Sequence, residues 1–173
     1  MSIATMLNAM NDAGARAALT NCCAAGAWVE AVLAKRPFVN DRHLERAIGD
    51  AAMKLTSDDW LEAFAAHPMI GDVETLREKY ASTKALAIDE QAGAGGAAEA
   101  TLAELVRLNH QYNNRFGFIF IVFATGKSAA EMLAILKQRI RNTRKAELRN
   151  AIREQMMITW KRLDKLAAAG DNS

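Results

Sequence analysis

The chain has 173 residues, 51% of them apolar, and a formal net charge of +2, which suits one well-buried domain and gives no global argument for binding nucleic acid or a membrane surface. Its two cysteines, Cys22 and Cys23, are adjacent, which encodes neither a disulfide framework nor a zinc site and fits a reducing compartment. Two prolines, abundant alanine and leucine, and scattered β-branched residues point to a mostly helical protein.

The first helix expected from periodicity runs from Asn21 to Leu33, where Ala24, Trp28, Val29, Val32 and Leu33 recur at helical spacing before Arg36-Pro37. A second covers Asp41 to Leu55, with Leu44, Ala47, Ile48, Ala51 and Ala52 inward. Ser57, followed by Asp58 and Asp59, reads as the N-cap of a short helix through Trp60, Leu61 and Phe64. That helix delivers the chain to His67-Pro68-Met69-Ile70-Gly71-Asp72. Pro68 disfavours the α conformation at the residue before it, so His67, one of three histidines, sits where a helix breaks off. An imidazole there can either bond the last helix carbonyls or turn into a cleft, where its ordinary pKa of ~6.5 suits proton transfer.

Asp72 caps a further helix through Val73, Leu76 and Tyr80, after which the segment 81–97 loses periodicity and carries Gly93, Gly95 and Gly96. Helix resumes through Leu102, Leu105, Val106 and Leu108 toward Tyr112. Phe116 to Ala124 is the one run that local propensity makes a strand, being aromatic and β-branched throughout. It must be buried, yet a lone strand would leave backbone polar groups to satisfy, and periodicity does not choose between a strand and extended pieces held among helices. Gly126-Lys127-Ser128 lacks the earlier glycine of a phosphate loop, since Ile121 stands in its place. Ser128 with Glu131 instead forms a capping box for a helix through Met132, Leu133, Leu136 and Ile140. Asn142 and Thr143 break that helix before a last one from Lys145 to about Ala168.

These C-terminal helices are basic, but Arg139, Arg141, Arg144, Arg149 and Arg153 point around them and not along one stripe, and no aromatics interleave for base stacking. A solvated face is the expectation. Arg162 differs. It follows Glu147, Ala151, Glu154 and Ile158 on one stripe beside the apolar row Leu148, Ile152, Thr159, Leu163 and Leu166, so it borders the core, paired with a carboxylate or aimed at an anionic ligand. His43 and His110 read as surface or boundary positions, and the three histidines lack the spacing of a metal site. The expected fold is all-α, a single-domain bundle of about seven to nine helices over residues 1–173 with a buried, partly extended Phe116 to Ala124 segment and a disordered tail from about 169. The N-terminus lacks the pattern of a secretory signal, the last residues lack a peroxisomal address, and no apolar run approaches the ~18 to 20 residues of a membrane span, so a soluble cytoplasmic protein is expected.

His67-Pro68-Met69-Ile70-Gly71, Asp89-Glu90-Gln91-Ala92-Gly93, Leu108-Asn109 through Tyr112 to Phe116-Gly117-Phe118, and the series Arg139, Asn142, Glu147, Ala151, Glu154, Ile158 and Arg162-Leu163 together resemble one family. It is that of 2-oxo-4-hydroxy-4-carboxy-5-ureidoimidazoline (OHCU) decarboxylase, and the resemblance covers nearly the whole chain. It implies a helical carboxy-lyase of urate degradation that forms (S)-allantoin without cofactor or metal, acts on a small molecule and is commonly a homodimer. By the same resemblance His67 and Glu90 are catalytic, and Pro68, Gln91, Phe120, Ile121, Val122, Phe123, Ala124 and Arg162 bind substrate. The family often has a serine where Ala87 stands; its hydroxyl contact is then lost or comes from another group such as Ser82 or Thr83. A helical interaction module without catalysis is the competing reading, and it would give His67, Glu90 and Arg162 no reason to converge.

Overall fold

The computed structural model describes residues 2–81 and 94–170. Among the described residues there are α-helices and no strand: α1 (Ile3–Ala9), α2 (Asp12–Cys22), α3 (Gly26–Leu33), α4 (Asp41–Met53), α5 (Ser57–Ala65), α6 (Val73–Ala81), α7 (Ala94–Phe116), α8 (Ala129–Arg139) and α9 (Arg144–Gly170). The all-helical expectation holds, and α9 extends two residues beyond its expected end.

Local chemistry sets most of the helix starts. The side chains of Ser2, Asn11 and Asn40 accept backbone N–H groups in the first turns of α1, α2 and α4, and Asp72 Oδ1 accepts the Thr75 N–H at 2.7 Å. The box of Ser128 and Glu131 opens α8 as expected. Two of the helix starts that differ from the sequence reading have a visible physical cause. The cap of α5 is Thr56, not Ser57, because Asp59 stands three residues after Thr56 and returns a bond to its N–H at 2.7 Å. The helix expected from Asn21 is interrupted: α2 ends at Cys22, Cys23 is extended, and α3 starts at Gly26. Ala25 offers α3 no side-chain cap, and the carboxylate of Glu62 in α5 accepts the Gly26 N–H at 3.2 Å instead. A cap supplied from 36 residues away leaves no local signal.

The chain forms two compact units, Met1–His67 with Ile152–Ser173, and Pro68–Ala151. In the first, α3 packs against α2, α4 and α5 around Trp28, Val29, Val32, Leu19, Leu44 and Ile48. Trp28 is fully buried, and its indole N–H donates to the Ile48 carbonyl at 3.3 Å, so the ring fills the core without an orphaned donor. In the second unit α7 packs against α6 and α8, burying Leu76, Leu102, Leu105, Met132 and Leu136.

Gly117, at φ +76°, turns the chain out of α7, and Gly126, also at φ +76°, turns it toward α8. Between them the run expected as a strand or extended piece has neither helix nor ladder. The Tyr112 ring packs edge-on against Phe116, Phe118 and Phe120 at centroid distances of 4.5, 5.9 and 5.3 Å. Cationic side chains stand in for a neighbouring strand. Arg144 Nε donates to the Phe116 carbonyl at 2.9 Å, Arg139 Nη1 to Ile121 at 2.8 Å, and Lys127 Nζ to Phe123 at 2.6 Å.

Glu147 is the hub of this unit. It is 0% exposed, and four donors serve its two oxygens: Tyr112 Oη and Arg139 Nε (2.9 Å) on Oε2, Asn142 Nδ2 (2.7 Å) and Asn150 Nδ2 (2.8 Å) on Oε1. Burial pushes this carboxyl upward, but the donors and the Arg139 charge outweigh it and hold the group below its ordinary range. Arg139, expected on a solvated face, is only 8% exposed; its guanidinium lies 4.8 Å from the Phe120 ring centre, and its Nη2 has no hydrogen-bond partner among the described residues. Paired with Glu147, the charge is tolerated there; alone it is not.

Glu147→Leu should therefore cost about 3 to 5 kcal/mol in denaturant unfolding, whereas breaking the exposed Arg107–Glu104 pair should cost under about 1 kcal/mol. Because the folded-state value for Glu147 is depressed, its stabilisation is complete above the unfolded value near ~4.3 and is lost as pH falls through the lower folded one. An acid-unfolding midpoint unchanged by the substitution would contradict this.

Candidate functional site

His67 lies just past the end of α5, its backbone N–H closing the last turn on the Phe64 carbonyl at 3.1 Å. The break foreseen from Pro68 is present, and the imidazole is turned away from the helix end. His67 Nε2 lies 2.6 Å from Gln155 Oε1. Gln155, fully buried in α9, donates its Nε2 to Thr159 Oγ1 at 3.3 Å, and the Thr159 hydroxyl donates back to the Gln155 carbonyl at 2.9 Å, with the Cys22 carbonyl at 3.4 Å. Since the hydroxyl donates to carbonyls, it accepts from the amide. The amide oxygen therefore faces His67, and the neutral ring must carry its proton on Nε2. Nδ1 keeps its lone pair, and among the described residues nothing bonds it.

Arg162 belongs to the same cluster. Its Nη1 donates to the carbonyls of Asn21 and Cys22, at 3.1 and 3.3 Å, at the C-terminal end of α2, where the helix dipole favours a cation. Among the described residues no carboxylate pairs with it, and these two carbonyls hold it at the border position expected from the sequence. Burial lowers the His67 pKa below its ordinary value, and the Arg162 charge lowers it further, while the Gln155 bond works in the opposite direction. At neutral pH the ring is thus uncharged. Burial raises the neighbouring Cys22 thiol to about 11, which keeps it protonated and unreactive.

The first unit thus brings His67 and Arg162 together. Pro68 opens the second unit, which also holds Phe120 to Ala124, with Phe120 and Ile121 buried and the next three residues half-buried. Glu90 and Gln91 lie outside the described residues, as do Ala87, Ser82 and Thr83. Periodicity missed Gln155 and Thr159 as site residues. Both lie on α9 four residues apart, and a buried amide facing a buried hydroxyl at that spacing is the signal that could have found them. His43 and His110 are peripheral, as expected: His43 Nδ1 accepts the Val39 N–H at 3.2 Å, and His110 Nε2 lies 3.2 Å from the Gly71 carbonyl.

Residues 8–164 match the family profile of OHCU decarboxylase. The chain belongs to that family. OHCU decarboxylase of Amia calva is 31% identical over 133 residues, covering 77% of this chain and 75% of that protein. The uric acid degradation bifunctional protein TTL of Arabidopsis thaliana is 35% identical over 148 residues, 84% of this chain and 45% of that protein. The chain thus spans less than half the length of that bifunctional relative. A crystal structure of OHCU decarboxylase in the presence of (S)-allantoin superposes with a TM-score of 0.67 at 33% identity, covering 86% of this chain and 96% of that one.

The opposed influences on His67 give a measurable sign. In an NMR titration its pKa should fall below ~6.5 in the wild type, fall further in Gln155→Leu and rise in Arg162→Met. Equal values in all three proteins would show that neither neighbour acts on the ring.

Proposed function

We propose that the chain works as one OHCU decarboxylase domain, converting OHCU to (S)-allantoin in urate degradation without cofactor or metal. The observation that carries this reading is the His67–Gln155–Thr159 chain beside an arginine that has no carboxylate partner among the described residues. It offers a neutral base of defined tautomer and a cation, anchored through Nη1 on the Asn21 and Cys22 carbonyls, whose other N–H groups can meet an oxygen-rich substrate. The relative crystallised in the presence of (S)-allantoin supports the product.

The substrate supplies its own electron sink. When the bond to the carboxylate breaks, CO₂ leaves and the electron pair flows into the adjacent C=N, whose nitrogen takes a proton from solvent, giving an enol-like intermediate. His67 Nδ1 takes the hydroxyl proton as that carbon becomes a carbonyl, and Glu90, as the protonated acid, delivers a proton to one face of the neighbouring carbon. Arg162 pairs with a substrate oxygen. The family resemblance implies Pro68, Gln91 and the backbone of Phe120, Ile121, Val122, Phe123 and Ala124 as the remaining substrate contacts. No metal is needed to polarise a group that the substrate already makes electron-poor.

Among the described residues no helix is long and apolar enough to cross a membrane. The two buried, unpaired cysteines fit a cytoplasmic location, and the family resemblance favours a homodimer.

With substrate made in situ, His67→Ala and Glu90→Ala should fold and lose ~10² to 10⁴ of the rate. Arg162→Lys should raise KM more than it lowers kcat, because an ammonium keeps the charge but loses the planar fork. Dialysis against a strong chelator should leave the wild-type rate unchanged. Variants of His67 and Glu90 within a few-fold of wild type, or a rate abolished by chelation and restored by one metal, would refute the assignment.

A further inference from the structure

The cations on the Phe116 to Ala124 run do more than satisfy carbonyls, because of which carbonyls they take. Arg139 Nη1 holds that of Ile121 and Lys127 Nζ that of Phe123, and both peptide bonds are trans. In a planar trans peptide the N–H points opposite the C=O. Drawing the Ile121 oxygen toward Arg139 therefore aims the Val122 N–H away from it, and drawing the Phe123 oxygen toward Lys127 aims the Ala124 N–H away likewise. Neither amide has an acceptor among the described residues.

Lys127 is well built for this. Its own N–H donates to the Ala124 carbonyl at 3.0 Å, its Nζ lies 5.5 Å from the centre of the Phe123 ring, and the next residue, Ser128, is locked in the capping box of α8. Two successive carbonyls, those of Phe123 and Ala124, are thus tied to one residue on a fixed helix start.

We propose that Lys127 is a positioning residue: by holding the Phe123 carbonyl it presents the Ala124 N–H as a hydrogen-bond donor to a carbonyl or carboxylate oxygen of the substrate. Arg139 does the same for Val122. The inference rests on the reading that this backbone binds OHCU, and it adds which amides donate and what orients them. Lys127 touches no reacting atom in this scheme, so its effect falls on binding.

The test compares wild type, Lys127→Met and Lys127→Arg. Lys127→Met should keep the wild-type melting temperature, since Lys127 lies outside the Glu147 hub, and should raise KM about tenfold, the size of one lost neutral hydrogen bond, with kcat within about threefold. Lys127→Arg, which keeps a cationic donor, should restore most of the loss. In protein labelled with ¹⁵N-alanine, added (S)-allantoin should shift the Ala124 amide proton downfield in wild type and much less in Lys127→Met. Unchanged KM in Lys127→Met, an Ala124 resonance indifferent to allantoin, or a loss that Lys127→Arg fails to restore would overturn the assignment. Wild-type protein that neither turns over OHCU nor binds allantoin would overturn the underlying reading, and this one with it.

Discussion

A carboxylate sealed from water must draw every hydrogen bond it needs from the protein, and Glu147 does so with four donors, three from helices and one from a turn. Tyr112 comes from α7, Arg139 from the last residue of α8, Asn150 from α9, and Asn142 from the turn between α8 and α9. Each is held in one orientation because the same oxygens serve them all. Arg139 then passes that constraint to the Ile121 carbonyl, and the Tyr112 ring passes it to the phenylalanines around it. A segment with no partner strand among the described residues is thus held in a defined shape through a buried ion pair.

The first unit solves a different problem, that of keeping a histidine neutral and correctly protonated. Gln155 and Thr159 bond to one another and to backbone carbonyls, so their orientation is decided before the imidazole is added. Burial and Arg162 then bias the ring against a proton. The two influences act on separate properties, tautomer and charge, and a general base at neutral pH requires both.

Features with local causes were legible in the sequence: the break at His67 from Pro68, the cap at Asp72, the box of Ser128 and Glu131, and the border position of Arg162. Those that depend on distant partners were not. Arg139 looks in the sequence like a surface arginine, and it is Glu147, Ile121 and Phe120 around it that make it a core residue. The start of α3 depends on Glu62, and the tautomer of His67 on Gln155, 88 residues away. The buried positions Gln155, Thr159 and Leu163 recur every four residues, a step that drifts ~40° from a strict 3.6-residue stripe, so a periodicity reading moves past the first of them. The resemblance to OHCU decarboxylase names candidate site residues by motif, and the structure supplies the physical setting of those it describes.

The most direct test of the account is the handedness of the product. OHCU generated fresh from urate oxidation decays spontaneously to racemic allantoin, so the enantiomer formed in the presence of the protein can be followed by circular dichroism at 25 °C against a protein-free control. The account predicts faster loss of OHCU and a dominant excess of (S)-allantoin, because a fixed acid can protonate only one face of the intermediate. Racemic allantoin formed at the spontaneous rate would contradict it.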